Sequence, residues 1–170
     1  ASRILQALGI SRPVLGRLVR EAGSQVLRTG RARATAYVAR ASTDAGSTWP
    51  VWRMLPDATL EELGALYLLR GGRFQFEPTG ERPNLVRPVD GVSGHFPGLP
   101  WFLDDLRPQG FLGRSLAHRS GPELGVPTDL NRWQLRDTLL AITRTGGTAI
   151  GDLLLGSHAV ERALAELDTP

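Results

Sequence analysis

The sequence has no cysteine, which excludes disulfide scaffolds, thiolate metal sites and cysteine nucleophiles. It has no lysine either, so all 20 basic residues are arginine. No apolar run approaches the roughly 18 residues of a membrane span. The opening Ala1-Ser2-Arg3-Ile4-Leu5-Gln6 lacks the apolar stretch of a signal peptide. An integral membrane protein and a membrane partner are set aside, and the missing cysteine fits a cytoplasmic setting. Repeats and low-complexity tracts are missing too.

What is present is ordinary for a globular chain: 170 residues, 41% hydrophobic and 22% charged, enough for one domain or two small ones. The isoelectric point, about 10.4, overstates the basicity, because arginine does not deprotonate and the net charge is only +3. The distribution says more. Residues 1–40 hold 8 Arg against Glu21, a charge of +7, while residues 41–170 hold 12 Arg against 16 acids, a charge of −4. A basic head on a mildly acidic body suits a polyanion-binding module joined to something else. A merely solvated arginine face fits the charge equally well.

The pattern along the head is more specific. Ser2 caps a short helix with Ile4, Leu5 and Leu8 on one face, and Gly9 closes it. Ser11-Arg12-Pro13 starts a second helix running to Ala22, with Val14, Leu15, Leu18 and Val19 on its apolar side. Gln25–Arg28 and Thr35–Val38 read as strands around a Gly30–Arg33 turn. Helix, turn, helix, hairpin is the order of a winged helix-turn-helix. Its second helix would enter the major groove of double-stranded DNA with Ser11, Arg12, Arg17 and Arg20, while Arg28, Arg31 and Arg33 on the wing reach phosphates or the minor groove. A complete winged helix carries a further helix before this pair, so the module at 1–40 is expected to lack its first helix. Two-fold operators favour a homodimer.

Residues 41–48, small and polar, read as a linker. Beyond it, Trp49–Met54, Leu63–Leu69 and Arg73–Glu77 read as strands, and Pro78–Pro100 as a long irregular segment. Trp101–Leu106 begins a helix that Pro108-Gln109-Gly110 breaks and Phe111–Arg119 continues. A helix follows Asp129–Trp133 and ends near Gly146-Gly147, Gly151–Gly156 is a short apolar piece, and His158–Leu167 is a closing helix. The fold class is therefore α+β.

No catalytic constellation emerges. Asp104 and Asp105, adjacent on a helix, point about 100° apart and do not readily share an ion or a proton. His95, His118 and His158 lack zinc spacing, the glycine pairs at 71–72 and 146–147 lack the form of phosphate loops, and Ser115 sits outside a nucleophile elbow. The sequence therefore points to no catalytic residue, metal site or cofactor. Trp52 and Trp133 read as packing residues. Trp101 reads either as a hydrophobic staple at a helix start or as an exposed anchor on a partner.

The stretch Gly98-Leu99-Pro100-Trp101-Phe102-Leu103-Asp104-Asp105-Leu106-Arg107-Pro108-Gln109-Gly110-Phe111-Leu112-Gly113-Arg114 resembles the N-terminal region of HipA-like toxin kinases, as do Leu130–Trp133 and Gly151–Gly156. The similarity is greatest to the YjjJ subgroup, which sets a helix-turn-helix before a HipA-type N-terminal domain and has counterparts of Leu27–Thr35. The resemblance implies a mixed α+β HipA N-terminal-like domain over 49–170 and a toxin–antitoxin context in which a Ser/Thr kinase toxin is held in check. The nucleotide loop and the catalytic and metal-binding aspartates of such kinases match no positions here, so the chain is expected to be noncatalytic. Its partners would be DNA and a HipA-like kinase domain, in cis or as a separate chain. The alternatives are a fragment of an active kinase toxin, a stand-alone antitoxin that blocks a partner kinase, or a general transcription regulator with a ligand-binding body.

Overall fold

The computed structural model describes residues 2–30, 35–80, 94–145 and 151–167. They form a mixed α+β protein with two antiparallel sheets. Helix α1 spans Ser2–Leu8 and α2 spans Arg12–Ala22. Ser2 lies inside α1 rather than capping it. Gly9 takes φ +61° where α1 ends, and the Ile10 N–H donates to the Leu5 carbonyl at 3.2 Å. Ser11 sits in extended backbone at the N-cap of α2 with Pro13 in the first turn, but its hydroxyl makes no cap bond. Strands β1 (Val26–Thr29) and β2 (Ala36–Ala39) pair in a hairpin with Arg28 opposite Tyr37. Each starts one residue later than the sequence pattern indicates. The turn residues Arg31 and Arg33 lie outside the described residues.

The second sheet has the order β6-β5-β4-β3-β7. It is made of β3 (Thr48–Met54), β4 (Leu60–Leu69), β5 (Arg73–Pro78), β6 (His95–Phe96) and β7 (Leu153–Leu155). Strand β4 begins three residues before the expected Leu63, and the register against β3 shifts between Val51 and Trp52. Val51 pairs Gly64 while Trp52 pairs Glu62, so Leu63 is the extra residue of a bulge. Gly64 has φ +150°, and a Cβ there would lie 2.2 Å from the Glu77 carbonyl oxygen, so only glycine fits. The short apolar piece at 151–156 turns out to be an edge strand paired to β3, a hundred residues upstream.

One face of this sheet builds the main core, in which Val51, Leu66, Phe74 and Leu155 meet Leu103, Leu139 and Ile142. Phe102 sets its ring edge-on to Phe76 at 5.4 Å and to Phe96 at 5.8 Å, pairs worth about 0.5–1.5 kcal/mol each beyond their buried area. Phe102 belongs to Trp101–Leu106, which is 3₁₀ rather than the expected α-helix. Helix α3 spans Gly110–Leu124, after the Pro108-Gln109-Gly110 break. Helix α4 spans Leu135–Thr145 and opens with one half of a capping box, the buried Asp137 carboxylate accepting the Gln134 N–H at 2.9 Å. A smaller cluster of Leu154, Ala159 and Ala163 packs Trp52 and Met54 beneath α5 (Ser157–Leu167).

Residues 41–48 are bonded to the body at Ala41, Asp44, Ala45 and Ser47. The Ala41 N–H donates to the Leu68 carbonyl at 3.0 Å and the Leu68 N–H to Ser47 at 2.9 Å. Thr43 and Gly46 close a tight turn on each other, and Ala45 accepts the Trp49 indole N–H at 2.9 Å. Asp44 forms a forked ion pair with Arg136 at the start of α4. Composition hides this, because small polar residues bond through their backbones as readily as they form a free tether.

Candidate nucleic-acid interface

The basic residues of α2 occupy one arc because of their spacing. At 100° per residue, Arg12, Arg17 and Arg20 fall within about 140° of the helix circumference, and all three are exposed. Val14, Leu15, Val19 and Ala22 fall on the other side, with Leu15 buried. Gly16 lies between Arg12 and Arg20 on the basic arc, and its missing side chain leaves the Arg20 guanidinium room to lie over it. Arg17 reaches Glu21 at 3.7 Å, an exposed pair that water and salt screen strongly. Ser11, at the N-cap of α2, is exposed, as is Arg28 on β1. Five of the seven residues selected from the sequence therefore stand exposed on the head; Arg31 and Arg33 are outside the described residues.

Arg40 was not selected, and it holds the joint between head and body. Its backbone N–H donates to Gln25 in the head at 2.8 Å, and it bridges to Leu69 at the end of β4. On either side, the Arg70 N–H donates to Ala39 and the Ala41 N–H to Leu68, so strand β2 runs directly into the larger sheet. The guanidinium donates to the Ser47 and Thr48 hydroxyls and lies 5.2 Å from the centre of the Tyr67 ring. Its buried Nε has no partner among the described residues. The signal was a single arginine at the end of a predicted strand; its use depends on residues in β3 and β4.

The other groups singled out do not assemble. Asp104 pairs with Arg107 at 3.2 Å and His158 with Glu161 at 3.5 Å, both at the surface. Burial, with Arg73 nearby, holds the His95 imidazole below its ordinary pKa. Among the described residues no three acidic or histidine side chains gather as a metal site would require. No helix among them is long and apolar enough to cross a membrane. Trp101 is 49% exposed, with its ring perpendicular to Phe102 at 5.8 Å.

A cleft of about 430 Å³ opens in the body between α3, the end of α4 and β7. The apolar floor includes Leu106, Leu116, Ile142 and Leu154, and Asp105, Arg107 and Arg119 stand among its lining. No sequence motif announces it, since its walls come from four separate segments.

Residues 45–164 match the family described as YjjJ-like toxin, middle domain. The Toxin YjjJ of Escherichia coli (strain K12) is 35% identical over 162 residues, which cover 95% of this chain and 34% of that protein. The chain thus spans about a third of this curated relative's length. The family match takes in the larger sheet and its helices, and the relative's match extends into the helical head. No solved structure matches the chain.

Proposed function

Because the chain belongs to the YjjJ-like toxin family, we propose that it is the noncatalytic DNA-binding and kinase-docking part of a HipA-like toxin–antitoxin system. In this reading the head is a winged helix that recognises double-stranded DNA, and the body is a HipA N-terminal-type domain that holds or regulates a kinase domain, in cis or as a separate chain. The observation that carries the DNA half is the division of α2 into a basic arc and an apolar arc within a head of charge +7. Helix α2 then lies in the major groove, where Arg12, Arg17 and Arg20 reach base edges or flanking phosphates and Ser11 hydrogen-bonds the backbone. Arg28, Arg31 and Arg33 contact phosphates or the minor groove from the hairpin. Phosphoryl transfer belongs to the kinase domain, and the setting is the cytoplasm. A dimer would match a two-fold operator.

The test is binding of a duplex from the protein's own promoter, followed by fluorescence anisotropy against a random duplex at several salt concentrations. Arg31→Ala with Arg33→Ala should weaken both duplexes alike and flatten the salt slope by up to about two phosphate units. Arg12→Ala or Arg17→Ala should instead reduce discrimination, by about 1–3 kcal/mol where a bidentate base contact is lost. Absence of binding to either duplex at low salt would overturn the DNA half. The docking half is checked by gel filtration with the kinase domain of the same locus, Trp101→Ala being expected to weaken the complex.

A further inference from the structure

Strand β7 is an edge of the larger sheet, and its free side opens on the cleft. Its pairing with β3 fixes which backbone groups face that side. The Gly156 N–H donates to Pro50 at 2.8 Å and the Met54 N–H to Asp152. In an antiparallel ladder such bonded pairs alternate, so Leu154 faces Trp52 while the N–H and C=O of Leu153 and Leu155 point away from β3. Neither residue has a hydrogen-bond partner on that side among the described residues. Leu155 packs in the main core and Leu154 in the smaller cluster under α5, on opposite faces of the sheet. All three leucines nonetheless line the cleft. What they share is the strand's edge, so the cleft runs along the backbone of β7.

The opposite wall is a stripe of α3. Leu112, Ser115, Leu116 and Arg119 line the cleft at the three- and four-residue spacing of one helix face. Leu112 is 62% exposed at its mouth. From Gly110 to Pro122 the helix carries Arg114, His118 and Arg119 and no acid. The Arg119 guanidinium has no partner among the described residues. At the other end, Arg107 is engaged by Asp104, and Asp105 is left facing the cleft. Leu112 and Arg119 are about 10 Å apart along the helix axis, the reach of about three extended residues.

We propose that this cleft binds an extended segment of a partner protein, which adds as a strand to β7. Its alternate apolar side chains enter the leucine floor, a carboxylate faces Arg119, and an amino or cationic group faces Asp105. Main-chain bonds to Leu153 and Leu155 supply affinity and the floor supplies selectivity, as in other strand-addition sites. The inference is independent of whether the head binds DNA.

A random dodecapeptide display library, panned on the whole chain, tests it. Enriched peptides should alternate apolar residues and carry an acid at one end. The best of them, made synthetically, should lose at least tenfold in affinity when methylated on the backbone nitrogens of one alternate set of residues, and little when methylated on the other. Leu112→Asp and Arg119→Glu, both at exposed positions, should weaken it at least tenfold with unchanged thermal unfolding. No enrichment, tolerance of both methylation sets, or indifference to both variants would overturn the proposal. So would self-association of the chain abolished by Leu112→Asp, which would make a second copy the occupant.

Discussion

In residues 2–40 Leu15 is the one buried apolar side chain among those described, whereas from Trp49 to Ala163 buried residues form two clusters on either face of a five-stranded sheet. Leu8 at 60% and Leu18 at 41% exposure lie uncovered on the head's apolar side. The head also concentrates like charge, which repels itself in a compact unit. Two stretches of one chain thus reach order by different means. The body is held by burial, and the head by backbone bonds that continue β2 into β4 and by the arginine at that joint.

The largest effect expected is on the body. Phe74 is fully buried near the start of β5, and Phe74→Ala should cost about 3–5 kcal/mol in denaturant unfolding. A loss confined to the head would break the comparison. Leu15→Ala should cost less, about 2 kcal/mol, because so little surrounds it. Hydrogen exchange should accelerate through α1 and α2 while the amides of β4 and β5 stay protected.

Arg40→Met keeps the aliphatic stem and removes the guanidinium, for a loss of about 1 kcal/mol from the hydroxyl bonds and the Tyr67 contact. Its sharper readout is proteolysis: cleavage within 39–48 should be slow in the parent protein and fast in the variant. Fast cleavage in both would show that the head hangs free. The smallest effect concerns acid. Hydrogen bonds from Arg136 hold the Asp44 carboxyl below its ordinary pKa of 3.8. The pair's contribution is therefore complete well above that value and is lost as the pH falls through it and below. Asp44→Asn should make stability less pH-dependent between about pH 4 and 2, the variant being slightly less stable than the parent at pH 7 and matching it in acid.

Much of this arrangement was legible because its cause is local. The apolar spacing of Val14, Leu15, Leu18 and Val19 requires a helix wherever the chain goes next, and the alternation in Arg73–Glu77 requires a strand, though Gln75 on its polar face is buried as well. Leu153–Leu155 is too short to show a period, and its partner β3 is distant in sequence, so a strand there looks like any apolar piece. The bonding of the 41–48 segment to the body was hidden for the same reason. Asp44 meets Arg136 across 92 residues, and no window around Asp44 contains that information. The basic arc of α2 was readable from one helix, whereas the cleft, assembled from α3, α4, β7 and the loop before α3, was not.

The late pairing of β7 has a consequence for synthesis. Strand β3 gains its second neighbour only when Leu153–Leu155 emerge, about a hundred residues after Val51, or roughly 5–20 s at ordinary elongation rates. Throughout that interval the hairpins of β3, β4 and β5 exist with the Trp49–Met54 edge open, and Pro50 and Arg53 are what guard that otherwise apolar edge against association between nascent chains. Ribosome-associated chaperones have their strongest claim on the protein in this window, and slowing translation between the codons for β5 and β7 should lower the soluble yield more than slowing it anywhere in the head.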